Sequence, residues 1–95
     1  MPESNTDISV LRLAIDEIDA KILNLINQRL LLAQQIGAAK KQGGIQVIDH
    51  RREKDIMDRL RRKNKGPLDG DGLQGIFRAI IAAGRSAQTT DGGPQ

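Results

Sequence analysis

The stretch from Leu11 to Lys40, LRLAIDEIDAKILNLINQRLLLAQQIGAAK, constrains this chain more than any other. Its apolar residues recur at Leu11, Ile15, Ile18, Ile22, Leu25, Leu32 and Ile36, in steps of four and three. That spacing predicts one continuous helix with a coiled-coil stripe along it. The same beat asks for an apolar residue at 29 and another at 39 or 40, and the chain has Arg29, then Ala39 and Lys40. A charge on a core-facing stripe is costly to bury without a partner. Arg29 therefore forms a buried salt bridge, snorkels to water at a helix crossing, or binds something. Arg29 and Lys40 lie three helical turns apart, about 16 Å along nearly the same side. Two cationic side chains so placed can lean together onto one small anion.

The helix has capping candidates at Asn5, Thr6 and Asp7 and a stop at Gly43-Gly44. A helix of about 34 residues is a rod of roughly 50 Å, whereas a compact domain of this length has a radius of gyration of about 12 Å. The rod outreaches its own globule, and its stripe needs covering. A symmetric dimer with paired long helices covers it most economically.

Composition removes several function classes. The chain has 95 residues, one domain's worth,. With no cysteine, one histidine and one aromatic residue, Phe77, it has no disulfide framework, no thiolate metal site and no base-stacking surface. A net charge of +3 suits an anionic small molecule at least as well as nucleic acid. No apolar run approaches the roughly 20 residues of a membrane span, and the polar, acidic MPESNTD is unlike a signal peptide. The expectation is a soluble cytoplasmic protein with no nucleic-acid or membrane partner. Residues 1–6 read as a disordered leader, 7–88 as a helical domain and 89–95 as a disordered tail.

Beyond the connector at Gly43 to Ile48, Asp49 is a plausible N-cap with Glu53 in the first turn of a second helix. That helix carries Ile56, Met57 and Leu60, with Arg52 and Glu53 one turn earlier, and Lys65-Gly66-Pro67 breaks it,. Its many other basic residues read as a solvated face. Asp69 or Asp71 caps a third helix with a stripe of Leu73, Ile76, Phe77, Ile80 and Ile81, continuing through Gly84 to Gln88. Gly70, Gly72 and Gly75 weaken its first turns by roughly 1 kcal/mol each against alanine. Gln88 stands where an apolar residue is expected; either the helix has frayed there or the amide has a task.

Arg29, Lys40, Arg52, Glu53 and Gln88 thus interrupt apolar faces on three different helices. In a helical bundle such side chains can project inward and build a site. The inventory is three cations, a carboxylate and an amide. No serine, cysteine or histidine is placed as a nucleophile beside a base, and there is no metal-ligand cluster or phosphate-binding glycine loop. Such a site binds a small polyanion and stabilises charge rather than attacking anything. Arg12 lies about 25 Å before Arg29 along the rod, so it reaches such a site only from an antiparallel partner chain.

These residues carry a resemblance. The segment LRLAIDEIDAKILNLINQRLLLAQQIGAAK, followed by VIDHRREKDI, GPL and IFRAII…SAQ, resembles the all-helical chorismate mutase family over residues 8–88. The motifs are LR-x3-D-x2-D, R-x3-A-x2-IG-x2-K, D-x2-RE and the late glutamine, specific in combination. The resemblance implies an all-α fold of three helices per chain, in an intertwined homodimer with two sites. It implies conversion of chorismate to prephenate, an intramolecular Claisen rearrangement on the route to phenylalanine and tyrosine, without cofactor, metal or covalent intermediate. It implies that Arg29 binds a substrate carboxylate and that Arg12 of the partner chain helps hold one. Lys40 and Gln88 donate to the ether oxygen, while Asp49, Arg52 and Glu53 complete the pocket, Glu53 accepting from the substrate hydroxyl. One position departs from the family pattern. A small hydroxyl residue is usual four before the glutamine, and here Gly84 stands there. Ser86 faces away on a helix, so a backbone N–H or a water at Gly84 is expected in its place. The alternatives are isochorismate pyruvate lyase, against which the complete D-x2-RE element and Lys40 speak, and a non-catalytic anion-binding dimer, in which leucine would serve better than Arg29, Lys40 and Gln88.

Overall fold

A computed structural model describes residues 7–43 and 49–89, which form three α-helices: α1 (Ile8–Gly43), α2 (His50–Lys63) and α3 (Gly70–Thr89). The described residues contain no strand, so the chain is all-α as its periodicity requires. The leader 1–6, the connector from 44 to 48 and the tail beyond Thr89 lie outside the described residues. Thr89, assigned to that tail from sequence, is instead the last residue of α3, with its hydroxyl donating to the Ser86 carbonyl at 2.9 Å.

Each helix starts on an aspartate. Asp7 Oδ1 accepts from the Ser9 N–H at 2.9 Å and from the Ser9 hydroxyl at 2.6 Å. The hydroxyl bond first, and the backbone bond with it, hold the Asp7 carboxyl below its ordinary range. Asp49 Oδ1 accepts from the Arg52 N–H at 3.0 Å, and Asp69 Oδ1 from the Gly72 N–H at 2.7 Å. Such caps satisfy N–H groups that the helix leaves orphaned. At the other end of α2, Asn64 organises the turn. Its N–H donates to the Leu60 carbonyl, its side-chain amide donates to the Leu68 carbonyl and its Oδ1 accepts from the Gly66 N–H. Gly66 has φ of 74°, a left-handed conformation that glycine adopts without steric cost.

α3 packs on both α1 and α2, which face each other without packing together. Along α1, Arg29 lies beside Gly84 of α3, and Gly37 beside Gln88. The two helices therefore run in the same direction. The face α1 offers to α3 is not its apolar stripe. It is the row containing Ala33 and Gly37, the two buried residues of α1, which meets a row of α3 containing Ile81, Gly84 and Ala87. Small residues on both sides let the backbones come close. A Cβ on Gly37 would lie 2.7 Å from the Gln88 Cα.

The stripe is consequently left outside. Leu11, Ile15, Ile18, Ile22, Leu25, Leu32 and Ile36 are all between 48% and 62% exposed in the single chain. With extents of 63 × 31 × 15 Å and a radius of gyration of 17.6 Å, the chain is far more extended than the roughly 12 Å of a compact domain. On α2, Arg51, Arg59, Arg61, Arg62 and Lys63 are exposed, as a solvated basic face requires. Arg61 also reaches Gln74 of α3, at 3.4 Å.

Candidate active site

The three helices enclose a cleft of about 230 Å³. From α1 come Arg29 and Lys40, with Leu32, Ala33 and Ile36 between them; Asp49 at the α2 cap, then Arg52, Glu53 and Ile56, form the facing wall; Ile81, Gly84 and Gln88 of α3 close the floor. Seven of the eight residues singled out from the sequence therefore share one cavity. The eighth, Arg12, is exposed and absent from the lining.

Arg29 is half-buried and pairs with no carboxylate among the described residues. This disposes of the buried-salt-bridge reading. Its Nη1 lies only 3.1 Å from where a Cβ on Gly84 would stand, so the guanidinium occupies room that a side chain at 84 would take. The Gly84 N–H is inside α3, where it closes the helix's own ladder,. The backbone N–H, one of the two stand-ins expected from sequence, is therefore not a free donor, and what Gly84 contributes to the cleft is space.

Gln88 is helical and half-buried, not frayed. Lys40 Nζ donates to Gln88 Oε1 at 3.2 Å. An ammonium has donors only, so it faces the amide oxygen, and the two N–H bonds of the amide remain for something else. The cleft thus holds the ammonium and the amide donors side by side. Arg52 also lines it and makes no ion pair among the described residues. Among the described residues, no serine, cysteine or histidine lines the cleft. Nor do three histidine, cysteine, aspartate or glutamate side chains gather anywhere among the described residues as metal ligands. What the arrangement can do is grip a small, multiply charged anion and hydrogen-bond to an oxygen on it.

The profile described as chorismate mutase type II matches residues 11–89. The chain belongs to that family. It is 39% identical over 83 residues to the chorismate mutase of Methanocaldococcus jannaschii, an alignment covering 85% of this chain and 83% of that protein. It is 36% identical over 81 residues to the bifunctional chorismate mutase/prephenate dehydratase of Aquifex aeolicus, covering 81% of this chain but 22% of that protein. The chain thus spans about a fifth of the bifunctional relative. Among solved structures, chorismate mutase form II of Thermus thermophilus superposes with a TM-score of 0.85 at 28% identity, covering 87% of this chain and 94% of that one.

Two residues that shape this chorismate mutase-type cleft were not singled out from the sequence as functional. Gly37 was legible only as a letter of the IG-x2-K motif, yet it lies so near α3 that a Cβ there would meet the Gln88 backbone. Arg85 follows Gly84 in α3, lines the cleft and places Nε 3.0 Å from Glu53 Oε2. As one more basic residue off the stripe it gave no cue. No helix among the described residues is long and apolar enough to cross a membrane.

Proposed function

We propose that this chain isomerises chorismate to prephenate, binding the dianion in the cleft and stabilising the charge that develops as its ether C–O bond breaks. The observation that carries this reading is the convergence of Arg29, Lys40 and Arg52 with the amide of Gln88 on one cleft whose described lining contains no serine, cysteine or histidine. Arg29 and Arg52 have the charge and the fork geometry to hold carboxylates. Lys40 and the Gln88 amide present donors to the ether oxygen, whose negative charge grows in the transition state. Glu53 accepts from the ring hydroxyl, and Asp49 borders that end of the pocket. Holding chorismate in the folded conformation in which its reacting carbons meet contributes the rest. The reaction serves phenylalanine and tyrosine synthesis in the cytoplasm. The test is to mix the purified protein with chorismate and follow the products by NMR. Prephenate is expected; chorismate left unchanged, or pyruvate released from isochorismate instead, overturns the assignment.

The active form is a homodimer in which the exposed stripe of α1 is covered by a second copy and Arg12 completes the partner's cleft. The 48–62% exposure of that stripe and the distance of Arg12 from the chain's own cleft support this. Arg12→Ala and Arg29→Ala chains are each expected to be nearly inactive alone. Mixed, they re-create one intact site per heterodimer, about a quarter of wild-type activity for random pairing. No recovery in the mixture, with heterodimers verified by mass, means that Arg12 is not shared.

Gly84→Ala should separate stability from affinity. Alanine favours the helix by about 1 kcal/mol, so the melting temperature holds or rises. The added Cβ presses on Arg29 Nη1, and KM for chorismate is expected to rise several-fold with kcat little changed. An unchanged KM means that Arg29 yields freely and that the space at Gly84 is not needed.

A further inference from the structure

The roles above leave Arg85 unused, although it reaches the carboxylate assigned to the substrate hydroxyl. Its Nε is buried and lies 3.0 Å from Glu53 Oε2. The Nε–H is not aimed well enough to make a hydrogen bond, so the contact is one of charge. Glu53 is drawn toward Arg85 without having its accepting capacity used up. The other oxygen, Oε1, has His50 Nδ1 at 3.9 Å, and no described residue donates a hydrogen bond to it. Both side chains border the cleft on one side and a second groove, lined by Met57, Arg61 and Arg78, on the other. They are the wall between the two.

A carboxylate in this position is a hazard to an anion site. Glu53 shares its cleft with Arg29, Lys40 and Arg52, the cations that must hold the substrate. Opposite charges a few ångströms apart in a partly dry cleft attract strongly. A Glu53 without a partner of its own would fold onto them and compete with the substrate's carboxylates. A cation on the far side of Glu53 removes that tendency, and position 85 of α3 is where such a cation stands.

We propose that Arg85 is a positioning residue: it holds Glu53 by Oε2 against the wall of the cleft, away from Arg29 and Arg52, and leaves Oε1 open to the substrate hydroxyl. This rests on the mutase reading. It assigns to α3 a task beyond Gln88, and makes the correct charge balance of the cleft depend on a residue that never touches substrate.

The experiment is a double-mutant cycle with chorismate as substrate, using Arg85→Gln, Glu53→Gln, the pair together, and Arg85→Lys. Arg85→Gln is expected to lower kcat/KM on the order of tenfold, mostly through KM, because Glu53 must then be displaced from the cations before substrate binds. In the Glu53→Gln background the same change should cost less than about twofold, since a neutral amide has no such pull. Arg85→Lys, which keeps the charge, should restore at least half of the lost kcat/KM. Thermal melts verify that each variant is folded. A merely structural arginine would act equally in both backgrounds and would not favour lysine over glutamine. If the wild-type protein converts chorismate and the cycle is additive, or Arg85→Gln is harmless, this inference fails alone. If the wild-type protein does not convert chorismate, the functional reading fails and takes this inference with it.

Discussion

Lys40→Ala and Gln88→Ala should each lower kcat for chorismate by about 100-fold or more, with circular dichroism and oligomeric mass unchanged. Removing one preorganised donor aimed at a developing oxyanion costs roughly 3 kcal/mol. Here the two donors are also mutually dependent. Lys40 Nζ donates to Gln88 Oε1 at 3.2 Å, and on the proposed mechanism this contact is what turns the amide N–H bonds toward the substrate. Losing the lysine therefore removes one donor and releases the aim of the other. The double mutant should accordingly lose less than the product of the two single effects. Gln88→Glu adds a pH test. An ionised carboxylate at 88 only accepts, whereas a protonated one can donate. That variant should be active at acid pH and lose activity as pH rises through the carboxyl's titration. A folded Lys40→Ala or Gln88→Ala protein with undiminished turnover removes that residue from the mechanism.

The second large effect is expected at a residue with no side chain. Gly37→Ala places a Cβ 2.7 Å from the Gln88 Cα and 2.8 Å from its carbonyl carbon. These are backbone atoms, which cannot swing aside as a side chain can, so α3 as a whole must move away from α1. Overpacking of this kind costs about 1–3 kcal/mol and exceeds the gain of about 1 kcal/mol from replacing a helical glycine. The melting temperature should fall. Activity should fall further than stability, because the displaced segment carries Gln88 and Lys40 lies one turn along α1. A misplacement of about 1 Å at a reacting centre can cost about 100-fold. Gly75→Ala is the control. Nothing lies within 4 Å of a Cβ there, so this substitution should raise the melting temperature and leave turnover alone. If Gly37→Ala is as benign as Gly75→Ala, the close approach of α1 and α3 is not what holds Lys40 and Gln88 together.

Arg29, Lys40, Arg52 and Gln88 were legible because burying a polar group among apolar neighbours is expensive. Each interrupts a periodic apolar face, and an interruption maintained at such a cost marks either a site or an error. Arg12 shows the limit of that logic. It interrupts nothing and entered through its charge and its distance along the rod, with a role only from resemblance to a family; within one chain it remains remote from the cleft. Glu53 was found, but its partner was not. A guanidinium's reach depends on where two helices cross, and no spacing along the chain encodes that.

Helix limits, caps and stripe follow from local rules: period, orphaned N–H groups, glycine and proline punctuation. The sequence alone therefore determined three helices, the Asp49 cap and short lists of candidates for the other two, a first helix too long for its own globule, and which polar side chains were out of place. Tertiary structure decided which face of α1 meets α3. The large apolar residues that dominate the pattern of α1 stay largely exposed, and the inner contact is made by Ala33 and Gly37 against Ile81, Gly84 and Ala87. Small residues bury little area and so carry almost no periodic signal, yet they permit the closest backbone approach. That approach brings Lys40 to Gln88, gives Arg29 its passage past Gly84 and places Arg85 against Glu53.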